Sequence, residues 1–174
     1  MKTKEIIPLL FFFLMSCSDD TPNFKQQVLF EKHYSNWAWG YQENGYLIDS
    51  LGNVKSFDLT KETSKWNYAD SLGYISKEKM DKNLQLCRTI IKQINRDSLT
   101  YFTHKIPGAA IGKLSEPEAQ MADFGEIRYY AYIFDKKTNR YKQVMIKTYG
   151  DFMIENNAAE ANEIYQWMSK ITIP

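Results

Sequence analysis

The chain has 174 residues, with 22 basic and 21 acidic side chains and a formal net charge of +1. This near-neutral balance argues against a nucleic-acid-binding protein, which depends on clustered basic charge. The two cysteines and two histidines lack the spacing of a zinc site, and no complete nucleotide- or cofactor-binding motif is present.

The first twenty residues contain three segments in series. Lys2 and Lys4 form a positive segment, residues 6–15 are apolar, and Ser16 and Cys17 follow. The apolar run is shorter than the roughly 20 residues that a membrane-spanning helix needs, and its flanks are typical of a signal peptide. The alternative is a buried N-terminal helix followed by an unrelated cysteine.

The segment Leu14-Met15-Ser16-Cys17 resembles the lipobox of bacterial lipoproteins. This resemblance implies cleavage before Cys17, diacylation of its thiol and attachment to a membrane through the lipid. Ser18 is similar to the outer-membrane sorting preference of many such lipoproteins, and Ser18-Asp19-Asp20 resembles the acidic surface-export signal of lipoproteins in the Bacteroidetes group. The expected organisation is a signal peptide over 1–16, a lipid-anchored tether over 17–27 and a single domain over 28–174.

The domain begins with strand-forming segments. Residues 28–34 are a candidate first strand, and Asn44-Gly45 lies between two runs of alternating residues. Asn-Gly is a strong hairpin signal, because a type I′ turn needs positive φ at both central residues. We therefore expect a turn at Asn44-Gly45 with Tyr41 opposite Ile48, and then a third strand over 54–59 that completes a β-meander.

The middle of the chain predicts helices. Ser76 can cap a helix that runs to about Asn95. Apolar residues recur along it at helical spacing: Met80, Leu84, Cys87, Ile91 and Ile94. Cys87 is therefore expected to be a buried thiol. Asp97 is a candidate cap for a second helix over 98–105, and residues 108–125 are expected to form a loop.

The last third of the chain predicts a second hairpin and a helix. Residues 127–134 and 141–149 are rich in strand-forming side chains and flank a polar turn. Asn157 and Glu160 have the spacing of a capping box in front of an amphipathic helix. The order predicts the α+β class, with an antiparallel sheet from a β-meander and a second β-hairpin, packed on one face by a central helix and a C-terminal helix.

His33 and His104 are the two histidines in the sequence. A catalytic histidine needs a nucleophile and an orienting carboxylate beside it, and no motif places either one. We therefore expect surface or helix-capping roles for both and name no catalytic residue. Glu116 and Glu118 lie in a polar segment and are expected to be solvated.

Aromatic content is the one unusual feature, with 4 Trp, 12 Tyr and 10 Phe. Aromatic side chains bind sugars and peptides by stacking and by apolar area. Trp37, Trp39 and Tyr41 are therefore the candidate binding residues. The alternative is that they fill the core under the sheet, in which case the 108–125 loop is the place to look for a site.

These patterns predict a cell-envelope lipoprotein whose domain is non-enzymatic and acts in binding, inhibition or immunity. Its expected partners are the membrane, through lipid on Cys17, and an envelope protein or glycan, without nucleic acid. The alternative is a small envelope hydrolase acting on glycan or peptide, which requires carboxylates or a histidine converging in a cleft. The sequence leaves open whether catalysis occurs, and also the oligomeric state and the identity of the partner.

Overall fold

The computed structural model describes residues 26–172, and Cys17 with the rest of the predicted anchor lies outside them. Within this range the chain forms three α-helices and a nine-stranded antiparallel sheet, so the α+β prediction is confirmed. The strands are β1 (Val28–Asn36), β2 (Gln42–Asp49), β3 (Asn53–Asp58), β4 (Tyr74–Ser76), β5 (Thr89–Gln93), β6 (Glu118–Ala119), β7 (Glu126–Asp135), β8 (Arg140–Gly150) and β9 (Phe152–Glu155). The helices are α1 (Lys77–Leu86), α2 (Arg96–Ala109) and α3 (Ala159–Met168).

The sheet joins two antiparallel units in the order β5-β3-β2-β1-β7-β8-β9-β6, with β4 also paired to β8. The first three strands form the predicted meander, and β7 and β8 form the predicted second hairpin. The two units meet where β1 pairs with β7, with His33 opposite Arg128. β1 is therefore an interior strand, hydrogen-bonded to β2 on one side and to β7 on the other.

Helices cover both faces of the sheet rather than one. Alternation along β2 places Tyr46 and Ile48 in one hydrophobic cluster and Leu47 in another. The Tyr46 face is covered by α2 and α3, whose buried residues there include Leu99, Ile106, Ile164 and Met168. The Leu47 face is covered by α1 and by residues 59–73, which contribute Met80, Leu59 and Trp66.

The predicted turn at Asn44-Gly45 is wrong, because both residues lie inside β2. Gly45 pairs with His33 of β1 and with Phe57 of β3. This position needs glycine for close approach rather than for a turn. A Cβ on Gly45 would lie 2.0 Å from the Lys32 carbonyl oxygen and 2.9 Å from Cζ of Phe57.

The chain instead reverses over residues 37–41, between β1 and β2. Tyr41 is consequently not opposite Ile48, which pairs with Phe30 of β1. Trp37 and Trp39 lie in the reversal and not in a strand, so neither shares a sheet face with Tyr46.

Helix α1 starts where the sequence predicts but ends earlier. Oγ of Ser76 accepts a hydrogen bond from the backbone N–H of Lys79 at 3.2 Å. The helix ends at Leu86 rather than near Asn95, because the β-branched residues 89–91 favour strand β5. Cys87 is buried as expected, and burial raises the pKa of its thiol.

Both later helices are capped differently from the prediction. α2 is capped by Asn95, whose Oδ1 accepts a hydrogen bond from the backbone N–H of Ser98 at 2.8 Å, and Asp97 lies in its first turn. α3 follows Ala158 without a side-chain cap, so the capping box at Asn157 is wrong. Among residues 26–172, no helix combines the length and the apolar character needed to cross a membrane.

We expect Gly45→Ala to lower the free energy of unfolding by about 2–3 kcal/mol, because the new methyl group would overpack against backbone and ring atoms. Asn44→Ala is the matched control, since a strand accepts alanine there, and its effect should stay within about 0.5 kcal/mol. Urea unfolding followed by circular dichroism measures both values. An equal decrease in the free energy of unfolding for Gly45→Ala and Asn44→Ala would contradict this account of Gly45.

Candidate functional site

Strand β1 carries two ionisable side chains into the protein interior. Glu31 and His33 are two residues apart, so strand alternation places both on the face covered by α1 and residues 59–73. Glu43 of β2 reaches the same place, because it pairs with Ser35 on β1. Each of the three residues is at most 2% exposed, so the group is separated from bulk water.

The imidazole of His33 lies between the two carboxylates. Its Nδ1 is 3.0 Å from Oε1 of Glu31, and its Nε2 is 3.1 Å from Oε1 of Glu43. An ionised carboxylate only accepts hydrogen bonds, so both ring nitrogens must donate. The arrangement is therefore that of an imidazolium held by two charge-assisted hydrogen bonds.

Three tyrosines of differing exposure donate hydrogen bonds to these buried carboxylates. Tyr132 donates its hydroxyl hydrogen to Oε2 of Glu31, while Tyr68 and Tyr41 donate to Oε1 and Oε2 of Glu43. Every carboxylate oxygen thus accepts at least one hydrogen bond, as buried ionised groups require. We refer to the six residues as the His33 network: Glu31, His33, Tyr41, Glu43, Tyr68 and Tyr132.

Burial and hydrogen bonding oppose each other in setting the charge of this network. Burial lowers the pKa of His33, but the hydrogen bonds and the negative charge of the two carboxylates outweigh it and raise the pKa above its ordinary value. For Glu43, burial raises the pKa, whereas the hydrogen bonds from His33 and Tyr68 lower it. The pKa of Glu43 is lowered on balance. Both shifts favour the ionised pair.

The geometry of the network suits positioning better than catalysis. Both ring nitrogens of His33 are engaged by carboxylates, so the ring offers no free nitrogen to abstract a proton from a substrate. The two carboxylates also contact opposite sides of the ring and do not converge on a common point. Within residues 26–172, no cluster of His, Cys, Asp and Glu has the arrangement of a metal site.

An open groove of about 400 Å³ adjoins the network and shares Tyr68 with it. Its volume lies within the range of about 300–1,000 Å³ that is typical of small-ligand sites. The side chains that give the groove its chemical character are Ser35, Trp37, Tyr68, Asp70, Arg128 and Gln143. We call it the Trp37 groove.

Trp37 is held in place although it is three-quarters exposed. The backbone N–H of Ala38 donates to Oδ1 of Asn36 at 2.8 Å, which fixes the start of the reversal. The Trp37 ring lies against Tyr41 with 4.6 Å between centroids, and Tyr41 is tied to Glu43. The exposed ring is therefore fixed indirectly by a buried carboxylate.

The polar side chains of the groove are also held by neighbours. Nη1 of Arg128 donates to Oγ of Ser35 at 3.1 Å, and Nη2 forms an ion pair with Glu126. Nε2 of Gln143 donates to the hydroxyl of Tyr132 at 3.0 Å. The buried network therefore supports two walls of the groove, through Tyr68 and through Tyr132.

A larger depression of about 580 Å³ lies at the β3–β5 edge of the sheet, near Phe57 and Leu86. Of its three charged side chains, Arg88 and Glu62 are 3.5 Å apart and form an ion pair with each other, and Asp58 is the third. Trp37 and Trp39 do not line it. The Trp37 groove is therefore the better candidate site.

No protein-family model, curated protein or solved structure matches this chain.

The structure excludes core packing for two of the three candidate aromatic residues. Trp37 and Trp39 are 75% and 77% exposed, so the core-packing alternative is wrong for both. Trp37 lines the groove, whereas Trp39 lies outside its lining. Tyr41 is half-buried and belongs to the His33 network.

The other candidate residues divide between the surface and the interior. His33 is buried, which contradicts the expectation of a surface or capping role, while His104 is exposed on α2. Glu116 and Glu118 are exposed, as expected. Sequence analysis missed Glu31 and Glu43. The available signal was the pair Glu31 and His33, two residues apart in a segment otherwise suited to a buried strand.

We expect His33→Gln to lower the free energy of unfolding by about 3 kcal/mol near pH 6, because two buried carboxylates lose their cation. A raised pKa means that the contribution of His33 is fully present below 6.5, its ordinary value. It is lost as the pH rises through the raised value. The difference between wild type and variant should therefore shrink above that pH, as measured by urea unfolding from pH 6 to 9.

The control for this experiment is His104→Gln, which changes an exposed histidine and should alter stability by no more than about 0.5 kcal/mol. A difference between wild type and His33→Gln that is constant from pH 6 to 9 would contradict the imidazolium assignment.

Proposed function

We propose that this protein is a non-enzymatic binding lipoprotein of the bacterial cell envelope. It is anchored in the outer membrane by lipid on Cys17 and holds its ligand in the Trp37 groove. The observation that carries the proposal is the state of Trp37, a large apolar ring that is fixed in position and left in contact with water beside a groove.

The sequence of the first twenty residues supports the anchor. The positive segment, the apolar run and Cys17 follow one another in the order of a lipoprotein signal. Each buried CH₂ group contributes about 0.8 kcal/mol to membrane attachment, so two or more acyl chains give a firm anchor. Ser18-Asp19-Asp20 supports the outer membrane as the destination.

The energetics of Trp37 support binding as the role of the domain. A tryptophan side chain buries about 150–250 Å² when it is covered, and burial of apolar area is worth about 25 cal/mol per Å². Trp37 is 75% exposed, so a partner that covers it can bury most of that area. Because the ring is already fixed by Tyr41, covering it costs little additional side-chain entropy.

The location restricts the partner to an envelope protein or a glycan. With a formal net charge of +1 on the whole chain, long-range electrostatic attraction contributes little, and contacts in the groove must supply the affinity. An inhibitor- or immunity-type domain is the form this function takes if the partner is a protein. The saturated hydrogen bonding of His33 gives no support to the hydrolase alternative.

The anchor is tested by mass spectrometry of the protein extracted from membranes. We expect Cys17 to be the first residue and to carry acyl chains. Cys17→Ser should leave the membrane fraction, because the lipid attachment is lost, and Cys87→Ser is the matched control that should remain in it. A Cys17→Ser protein that stays with the membrane would overturn the anchor.

Binding is tested with the full chain in detergent and with envelope material from the bacterium that produces it. The material is divided into a protease-treated glycan fraction and an extracted protein fraction. We expect one fraction to bind and Trp37→Ala to weaken that binding by about 1 kcal/mol or more. Binding should occur without the release of soluble fragments.

Two results would overturn this function. The absence of binding to both fractions would remove the binding role, and a time-dependent release of fragments would indicate turnover.

A further inference from the structure

We infer that the ligand of the Trp37 groove is a neutral oligosaccharide. The inference rests on the binding function proposed above and deepens it by naming the chemical class of the ligand.

The first argument is the combination of an aromatic ring with rigid polar groups. A sugar ring has C–H groups on its faces and hydroxyl groups around its edge. The negative face of an aromatic ring attracts such C–H groups, which carry partial positive charge. Trp37 and Tyr68 provide aromatic rings on the groove, and both are more than half exposed.

The second argument is the supply of hydrogen-bonding groups at fixed positions. Arg128 has five N–H groups, and the contacts with Ser35 and Glu126 use one on Nη1 and one on Nη2. Gln143 is oriented by its contact with Tyr132, so its amide carries both a donor and an acceptor in a set direction. Sugar hydroxyls donate and accept, and they match such a mixed set.

The third argument concerns charge. Arg128 is paired with Glu126, and Asp70 is paired with Arg140, so the charged side chains at the groove compensate each other. The adjoining His33 network contains one imidazolium and two carboxylates and is formally negative. This environment gives an anionic ligand no net attraction, so an uncharged ligand is favoured over an anionic one.

The fourth argument distinguishes a sugar from an extended peptide. Peptides commonly bind by adding a strand to a free sheet edge. The groove lies over β1, β7 and β8, and each of these strands already has a neighbour on both sides. Recognition at this site must therefore use side chains, which suits a ligand rich in hydroxyl groups.

The test uses the detergent-solubilised full chain on an array of immobilised oligosaccharides. The array contains neutral hexose, pentose and N-acetylhexosamine oligomers together with uronic-acid and sulfated oligomers. The best neutral oligomer is then titrated by calorimetry. We expect neutral oligomers to bind in preference to the acidic ones.

The chain offers a matched pair of variants for the titration. Trp37→Ala removes an exposed tryptophan from the groove, and Trp39→Ala removes an equally exposed one outside its lining. We expect Trp37→Ala to raise the Kd by about tenfold or more and Trp39→Ala to change it by less than about threefold. Urea unfolding of both variants verifies that each remains folded.

The possible failures are distinguishable. Binding to the envelope protein fraction without binding to any oligosaccharide would overturn the sugar inference and leave the binding function in place. Preference for acidic oligomers would overturn the neutral class. An equal increase in Kd for Trp37→Ala and Trp39→Ala would overturn the groove as the binding site. The absence of binding to any probe would overturn both proposals.

Discussion

The charge of His33 between Glu31 and Glu43 constrains the whole face of the sheet on which it lies. An imidazolium and two carboxylates can remain buried only if they are paired and their remaining hydrogen-bonding capacity is met. Tyr68 and Tyr132 meet part of that requirement from outside the first two strands. The network therefore connects the meander, the second hairpin and the 59–73 segment.

Close approach at Gly45 makes this arrangement possible. Gly45 lies opposite His33 on one side and Phe57 on the other, and its lack of a side chain leaves room for the Phe57 ring. Trp66 stacks on Phe57 with 4.0 Å between centroids and lies 5.3 Å from the His33 ring. The aromatic layer thereby excludes water from the ion pairs, which strengthens them.

Much of the architecture could be predicted from local patterns, and the site could not. The β7–β8 hairpin and the start of α1 at Ser76 follow from strand propensity and capping, which depend on neighbours in sequence. The turn predicted at Gly45 was wrong, because the sequence does not distinguish a glycine needed for a turn from a glycine needed for close packing. The interaction of Glu31, His33 and Glu43 depends on the register of β1 against β2, which the wrong turn assignment displaced.

The core-packing alternative for Trp37 and Trp39 arose from the same wrong turn assignment. Placed in a strand, they would share the face of Tyr46 and fill the core. Placed in the reversal between β1 and β2, they extend into solvent. One error in register therefore left core packing open as an alternative for the candidate binding residues, even though the fold class was correct.

The interior position of β1 has a mechanical consequence. A force applied to residues that precede Val28 is transmitted along β1, which is hydrogen-bonded to β2 and β7 through most of its length. When such a force acts along the axis of β1, the hydrogen bonds of both ladders are loaded together in shear and not opened one after another. Under such a load, the domain separates at β1 only when two ladders of hydrogen bonds break together.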